Sequence, residues 1–411
     1  MRSSCQALLM GILAIAAACP AWADDGPARW YRGNTHTHTL WSDGDTFPEM
    51  AVDWYKSHGY QFLVLTDHDV LQQGEKWRDI TKEQEQFKVI ENARKKFGEN
   101  AVTTRPAEGG KIEAKLMSLD ALRGQFERAG EFILITGEEI TGNDAHVNGV
   151  NITRQIPRSS APTTPQRVEE EVAAVAAQND GDHVTAAVVN HPNFCFALKT
   201  QDLIETKAKV FEICNPDPTC FDAGDRNHPG TMRMWDVSSV VRISRKVDPL
   251  FGVGADDTHY YHGAITQAAP GKAWIMVRSP QLTSNGITKA MLDGNFYAST
   301  GVLLPDVNFD KQAGKLTVEV QPQQGVEYTI EFIGTMAGVF DASAPVEELL
   351  KSDEIGKVLL TVNGEKASYE LTGRELYVRA VVTCSKKLPY PTFAGKDSHP
   401  QAWTQPVGWK K

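Results

Sequence analysis

Residues 61–69 read QFLVLTDHD, and the fold class can be worked out from this stretch. Its first six residues are largely apolar and partly β-branched, which is typical of a strand buried on both faces. A helical stretch precedes it, beginning at Pro48 and ending before Gly59. Four similar runs follow, with helical stretches between them: EFILIT (131–136), TAAVVN (185–190), KVFEIC (209–214) and LFGVGA (250–255). Strands that alternate with helices predict a parallel α/β fold, either a barrel or a doubly wound sheet.

Histidines and carboxylates stand next to these apolar runs. The first such motif is NTHTH (34–38), which is followed by SDG (42–44). Side chains two apart on a strand point to the same side, so His36 and His38 can face one ion, and Asp43 can reach it from the next loop. A pair of histidines with an acid nearby is a stronger metal signal than the pair alone.

Four more motifs each come after a strand-like run. One alone could be a hydrogen-bonded polar cluster, but five at the edge where catalytic groups of parallel α/β folds collect predict a shared metal site. The four are Asp67-His68-Asp69, Gly137-Glu138-Glu139 with His146 beyond it, Asn190-His191-Pro192 and Asp256-Asp257-Thr258-His259. The remaining histidines are predicted to be surface or hydrogen-bonded groups, with His228 and His262 kept as candidates for contacting a ligand residue: His58, His183, His228, His262 and His399.

Residues 305–411 have a different pattern. KLTVEVQP, VEYTIEFIG, KVLLTVNG and ELYVRAVVT alternate apolar and polar residues and are separated by turn residues. This period of two predicts antiparallel strands with one face in water, hence a small β-sandwich domain after a boundary near Leu304 and Pro305. The Pro- and Trp-rich tail is predicted to wrap over a surface without forming a strand or helix.

Residues 71–130 are predicted to be an insert in the first domain, which spans 24–304. The segment is highly charged and rich in helix formers, with a Gly-rich break at 108–110. Two interpretations stay open: a helical lid on one face of the fold, or an ordinary solvated helix pair.

Residues 1–23 are predicted to be a secretory signal peptide. Arg2 precedes the apolar run ALLMGILAIAAA (7–18), and Ala21-Trp22-Ala23 fits a cleavage site. The run is shorter than the ~20 residues that span a bilayer, which favours a cleaved signal over a retained anchor. Cleavage after Ala23 would leave a periplasmic or secreted protein without a membrane span.

The composition limits the partners. The 42 Lys and Arg against 52 Asp and Glu give a net charge of −10, and no basic block occurs. A nucleic-acid surface needs clustered positive charge, so this composition argues against one. A small anionic substrate is not excluded, because bound cations can reverse the local field. The sequence does not indicate the oligomeric state.

Four cysteines follow the signal segment: Cys195, Cys214, Cys220 and Cys384. An even number in an exported protein is compatible with disulfides, and Cys214 and Cys220, on either side of NPDPT, are the best-placed pair. Free buried thiols are an equal alternative. The absence of Cys-x-x-Cys argues against a thiolate zinc site.

The five motifs together resemble the polymerase-and-histidinol-phosphatase (PHP) superfamily of metallohydrolases. The resemblance covers about residues 30–301 and rests on HTHT-x-x-SDG, LTDHD, GEE with a following His, NHP and DDTH. The later segments GNFYASTG (294–301), ELYVRAVV and AWTQPV (402–407) are similar to a secreted, carbaryl-hydrolase-like branch of that superfamily.

The resemblance implies a distorted (β/α)7 barrel that holds two or three metal ions. It selects Glu139 over Glu138 and Asp257 over Asp256. It implies three ligand sets: His36, His38, Glu139 and Asp257; Glu139, as a bridge, with His146 and His191; and Asp43, His68 and His259. Some family members have His where this chain has Asp43, and the harder oxygen ligand favours Mn or Fe over an all-Zn site.

Such a centre predicts an enzyme, a metal-dependent hydrolase in which a hydroxide bridging two or three ions attacks a phosphate ester. Arg226, Arg278 and Arg105 are candidates for binding the phosphate, although each could equally be a surface residue. Asp67 is a candidate for orienting a ligand or the water. The alternatives are hydrolysis of a carbamate, ester or amide by the same centre, and a noncatalytic metal- or glycan-binding protein.

Overall fold

The computed structural model describes residues 27–142, 144–263, 268–389 and 398–410. The predicted signal peptide, residues 1–23, lies outside them. The strands are β1 (Arg29–Asn34), β2 (Phe62–Leu65), β3 (Lys76–Asp79), β4 (Thr104–Pro106), β5 (Ile112–Leu116), β6 (Ile133–Thr141), β7 (His146–Val150), β8 (Ala186–Val189), β9 (Val210–Cys214), β10 (Phe251–Gly254), β11 (Trp274–Ser279), β12 (Phe296–Ser299), β13 (Asp306–Asp310), β14 (Lys315–Glu319), β15 (Tyr328–Met336), β16 (Lys357–Asn363), β17 (Lys366–Glu370), β18 (Glu375–Cys384) and β19 (Gln401–Thr404). The helices are α1 (Pro48–Ser57), α2 (Lys82–Gln86), α3 (Val89–Phe97), α4 (Leu119–Phe126), α5 (Thr164–Ala176), α6 (Thr200–Glu205), α7 (Thr231–Ser244), α8 (Ser284–Leu292) and α9 (Val346–Leu349).

The fold is α/β, built on a large mixed sheet. Thirteen strands form it, in the order β10-β9-β8-β7-β6-β2-β1-β11-β12-β19-β18-β15-β16. Parallel pairing joins β1 to β2, β2 to β6, β8 to β9 and β9 to β10. The four residues of β2 are fully buried, as expected of a strand covered on both faces. The predicted α/β class is therefore confirmed.

Antiparallel strands interrupt the expected parallel alternation. β7 pairs antiparallel with β6 and β8, and β11 pairs antiparallel with β1 and β12. Only residues 142–145 separate β6 from β7, which is too short for a parallel crossover, so the chain returns as a hairpin. The sheet curls until Gly254 of β10 approaches Ala298 of β12. A complete (β/α)7 barrel stays a prediction.

The insert at 71–130 is only partly helical, so its prediction as a helical excursion is wrong in part. Helices α2, α3 and α4 form, but β3, β5 and β4 make a separate antiparallel sheet. In β5, Ala114 and Leu116 are buried with Val89 and Ala93 of α3, while Lys115 between them is exposed. The high charge of the segment hid this short alternating pattern.

The C-terminal region forms two packed layers. Leu316 and Val318 of β14 share a buried cluster with Ile330 and Phe332 of β15. The tail prediction is wrong, because Gln401–Thr404 forms β19, which pairs with both β12 and β18. Hydrogen bonding therefore runs across the predicted boundary at Leu304, and a separate sandwich domain stays a prediction.

The four described cysteines are free thiols, so the Cys214–Cys220 disulfide does not form. Both of these thiols are buried, and burial raises their pKa well above the ordinary value. Cys214 and Cys220 are therefore the free buried thiols that the sequence left open as the alternative to a disulfide.

Within the described ranges, no helix combines the length and apolar character needed to cross a bilayer.

Candidate metal centre

His36 and His38 lie at the carboxyl end of β1. The backbone continues in an extended form, since Thr37 bridges to Thr258 and the N–H of His38 donates to Thr258 O at 2.9 Å. Asn34 Oδ1 accepts the N–H of His36 at 2.9 Å. Both imidazoles are fully buried and face the same side, with ring centroids 5.1 Å apart.

Glu139, on β6, lies at the centre of the cluster and is 1% exposed. Its carboxylate oxygens approach five imidazoles: His68 Nδ1 (2.8 Å), His146 Nδ1 (2.9 Å), His36 Nε2 (3.1 Å), His191 Nε2 (3.3 Å) and His38 Nε2 (3.4 Å). The bridging role that the resemblance implies for Glu139 stays a prediction.

Asp257 follows β10 and approaches the same histidines from another side. Its Oδ1 lies 3.1 Å from His36 Nε2 and 3.2 Å from His38 Nε2. The same oxygen is 3.5 Å from His259 Nδ1. His36 and His38 therefore each lie between the two carboxylates Glu139 and Asp257.

Asp43 completes an outer group with three histidines. Its Oδ1 is 3.5 Å from His259 Nε2 and 3.6 Å from His38 Nδ1, and its Oδ2 is 3.4 Å from His68 Nε2. The Asp43 side chain is 53% exposed, whereas Glu139 is almost inaccessible. The cluster therefore opens to solvent on the Asp43 side.

Four overlapping groups of these donors could hold a metal ion: His38, Asp43, His68 and His259; His36, His38 and Glu139; His36, His191 and Asp257; and His68, Glu139 and His146. Together they contain all nine predicted ligands. The grouping differs in part from the implied sets, because His191 belongs with His36 and Asp257, apart from His146.

The donor set fits divalent cations. Four buried atoms in the middle of the cluster make no hydrogen bond of acceptable geometry: His36 Nε2, His38 Nε2, Glu139 Oε2 and Asp257 Oδ1. Leaving buried polar atoms unsatisfied is costly, and imidazole nitrogens with carboxylate oxygens are donors that Mn, Fe and Zn accept. That these atoms bind ions stays a prediction.

The cluster is strongly coupled in its protonation. Burial lowers the pKa of His68, but Asp43 and Glu139 outweigh it and raise the pKa to about 10. Burial and the nearby His259 lower the pKa of His38 to about 4. Burial opposes ionisation of Glu139, yet His36 and His146 hold its pKa well below the usual range. A cation must displace the protons on these imidazoles, so metal affinity is expected to fall in acid.

Glu138 and Asp256, which the resemblance does not select as metal ligands, lie outside the cluster. Glu138 Oε1 accepts the N–H of Ile156. Asp256 accepts three backbone N–H groups of residues 271–273 and the hydroxyl of Tyr55. Both carboxylates hold loops by accepting backbone N–H groups.

Sequence reasoning missed Glu212, Asn215 and Asn190. Glu212 Oε1 lies 2.7 Å from His36 Nδ1, and Asn190 Nδ2 donates to Glu139 Oε1 at 2.9 Å. A single carboxylate inside the apolar run KVFEIC was the available signal for Glu212, since a buried strand rarely carries an unpaired charge.

Asp67 holds the loop that carries Asp43. Its oxygens accept the N–H groups of Thr39 and Ser42 at 2.7 and 3.0 Å, and also their hydroxyls at 2.9 and 2.7 Å. Gln72 Nε2 donates to it at 2.8 Å. Asp67 therefore holds residues 39–42, between His38 and Asp43, and its predicted role in orienting a ligand or the water stays a prediction.

The structure does not bring the three predicted arginines into the cluster. Arg105 pairs with Glu113 at 2.6 Å. Arg278 faces Trp30, with which it pairs at the start of β1, and lines a cleft of about 630 Å³ at the end of that strand away from His36. Arg226 is exposed in the loop before α7.

The other five histidines have partners outside the cluster. Each makes a hydrogen bond: His58 Nδ1 to Trp54 O, His183 Nε2 to Asn151 O, His228 Nδ1 to Asp225, His262 N–H to Asp45 and His399 Nδ1 to Lys386 O. The prediction of surface or hydrogen-bonded histidines is confirmed for His58, His183, His228 and His399, whereas the bond of His262 comes from its backbone N–H and its buried Nε2 has no hydrogen-bond partner.

No protein-family model and no curated protein matches the chain. Among solved structures, it is similar to a two-domain protein containing a predicted PHP-like metal-dependent phosphoesterase from Bacteroides vulgatus ATCC 8482, with 12% identity, a TM-score of 0.39, and coverage of 92% of this chain and 95% of that one. A candidate metal-dependent phosphoesterase from Bifidobacterium adolescentis ATCC 15703 shows 13% identity, a TM-score of 0.27, and coverage of 57% and 90%. Identities and TM-scores this low do not establish a shared fold or activity.

Proposed function

We propose that this chain is a metal-dependent hydrolase of the PHP superfamily. Its proposed substrates are small, anionic phosphate esters. The observation that carries the proposal is the convergence of nine donor side chains, spread between residues 36 and 259, at one edge of the sheet. Structural metal sites are closed four-ligand sets, whereas this cluster is larger and has an exposed carboxylate on one side. An open site of this kind supports catalysis.

The side chains of the chain have distinct parts in this reaction. When bound, divalent ions supply an activated water and polarise a phosphoryl oxygen. Glu139 and Asp257 hold the imidazole of His36 in place. Asp67 holds the loop that carries Asp43. Three carboxylates among the nine donors would repel an anion, so the substrate is expected to bind only to the cation-loaded site.

The remaining features of the proposal rest on the sequence. We propose two or three ions of Mn, Fe or Zn, a barrel domain at 24–304, a β-sandwich domain at 305–411 and the secreted, carbaryl-hydrolase-like branch. Removal of residues 1–23 would place the enzyme in the periplasm or outside the cell. No nucleic-acid partner is expected.

A direct test is to incubate the purified chain, loaded with Mn or Fe, with p-nitrophenyl phosphate, its bis-ester and a naphthyl carbamate. We expect turnover of a phosphate ester that a chelator abolishes and added metal restores. Turnover of the carbamate alone would assign the chain to the carbamate, ester or amide alternative. No turnover with metal stoichiometrically bound would favour the noncatalytic alternative.

A further inference from the structure

Glu212 is a buried carboxylate in the middle of β9, flanked by apolar residues and fully inaccessible. Oε1 lies 2.7 Å from His36 Nδ1. Oε2 accepts the backbone N–H of His191 at 2.9 Å and Asn215 Nδ2 at 3.0 Å. Burying a charge in a strand is costly, and its contacts go to the side where the metal ligands lie.

Asn215 extends these contacts to a third ligand. Its Nδ2 donates to Glu212 Oε2 and to Asp257 Oδ2, both at 3.0 Å, which uses both amide hydrogens. Its Oδ1 accepts the N–H of Asp217 at 3.1 Å, and its own N–H donates to Asp222 Oδ2 at 2.6 Å. The Asn215 side chain is therefore fixed in orientation.

Two of the three supported ligands have a strained backbone. His191 has a φ of +21° and Asp257 a φ of +48°, in a region that non-glycine residues rarely adopt. Strain of this kind persists only where surrounding contacts hold it. The hydrogen bonds to the His191 backbone and the Asp257 carboxylate are contacts of that type.

Resting on the proposed function, we infer that Glu212 and Asn215 are positioning residues for one particular ion site, the inner site formed by His36, His191 and Asp257. With an ion bound, an ionised Glu212 carboxylate, which can only accept, would hold the remaining proton of His36 on Nδ1 and so direct Nε2 toward the ion, on the side where Glu139 and Asp257 lie. Across the described residues, neither side chain contacts the outer site formed by His38, Asp43, His68 and His259. The support is therefore selective for the inner site.

The test compares metal binding at the two sites in the full chain. Glu212→Gln keeps the size of the side chain but can place an amide against His36 Nδ1, which favours the wrong tautomer. Asn215→Ala removes the hydrogen bonds that the amide donates to Asp257 and Glu212, and also the one that it accepts from the N–H of Asp217. The matched control is Glu171→Gln. Glu171 lies on α5, its carboxylate is also buried, and it accepts the N–H of Ser159.

Mn²⁺ titration, with anomalous scattering at the Mn edge in crystals of each variant, measures the occupancy of each site. We expect Glu212→Gln to weaken Mn²⁺ binding at the inner site by about 10–100-fold, as is typical when a partner of a metal ligand is lost, and Asn215→Ala to weaken it less. The outer site and the control should match the unmodified chain.

Unchanged occupancy of the inner site in a folded Glu212→Gln protein would overturn the inference. Equal loss at both sites would also overturn it, since that would mean that Glu212 supports the fold generally. If Glu212→Gln fails to fold, the occupancies of the inner and outer sites are compared in Asn215→Ala instead, and the same two outcomes would overturn the inference. An unmodified chain that binds none of Mn²⁺, Fe²⁺ and Zn²⁺ would refute the proposed function and the inference with it. The proposed function is therefore tested on the unmodified chain, and the inference is tested on the variants.

Discussion

Asp236 on α7 and Arg379 on β18 form a buried ion pair with two hydrogen bonds, 2.8 Å from Nη2 to Oδ2 and 3.0 Å from Nε to Oδ1. The two side chains are only 9% and 2% exposed. Tyr377 donates a third hydrogen bond to Asp236, at 2.6 Å. The pair joins a helix of the first region to the C-terminal strands.

Arg379→Met is expected to destabilise the chain by about 3–5 kcal/mol, because it leaves the Asp236 carboxylate buried without its partner. Urea denaturation followed by circular dichroism measures the change. The control is Arg245→Ala, since the Arg245–Glu205 pair is exposed and should contribute about 1 kcal/mol or less. Similar losses in both variants would show that the buried pair has no special role.

His38→Ala and Asp257→Asn should each lose bound metal and hydrolytic activity together. Both residues contribute atoms that lack hydrogen-bond partners in the middle of the cluster. Elemental analysis of the purified variants gives the metal content. His58→Ala is the control, because His58 stacks on Trp54 at 3.9 Å outside the cluster. Full metal content in both ligand variants would show that the ligand assignment is wrong.

Asp67→Asn should leave the protein folded but weaken metal binding at the outer site by about 10–100-fold. The substitution turns one of the acceptors for residues 39–42 into a donor, so the loop carrying Asp43 loses its anchor. Isothermal titration with Mn²⁺ measures the effect. Asp79→Asn, at an exposed pair with Lys111, is the control. Unchanged affinity would remove Asp67 from the residues that orient ligands.

Glu49→Gln should make stability less dependent on pH. Glu49 is 2% exposed and its Oε2 has no hydrogen-bond partner, and burial raises its pKa to about 7 from 4.5. The folded state therefore prefers the neutral acid. Stability from this preference is complete below the unfolded pKa and is lost as the pH rises through the folded pKa.

At pH 8 the variant should consequently gain about 1–3 kcal/mol relative to its effect at pH 5. Thermal unfolding at the two pH values measures this difference, with the exposed Glu347→Gln as the reference. A stability difference between variant and unmodified chain that is the same at both pH values would contradict the burial argument.

The nine cluster residues could be named from the sequence because each lies close to the end of a strand or beside one. Glu212 could not be found in this way, because it lies within an apolar run that indicates only a strand. Arg278 was named for its charge, but its register opposite Trp30 puts it at the far end of β1. Register depends on pairing between distant strands, which the local pattern does not encode.

Strand direction was the main part of the fold that the sequence left unpredicted. Apolar runs such as those of β8 and β6 look alike whether a neighbour is parallel or antiparallel. Only residues 142–145 separate β6 from β7, and this short separation was the local signal for their hairpin, whereas the pairing of β1 with β11 has no local signal. The pairing of β19 with β12 and β18 likewise has no local signal, so these residues were predicted to be a tail that wraps over a surface without forming a strand.

β19 lies between β12 and β18, although it is made after both. A chain that lacks residues 401–404 leaves one edge of β12 and one edge of β18 without a hydrogen-bonding partner. An unpaired edge is a template for association with other chains. Chains truncated before Gln401 should therefore aggregate, because the insertion of a four-residue strand is what closes the sheet between β12 and β18.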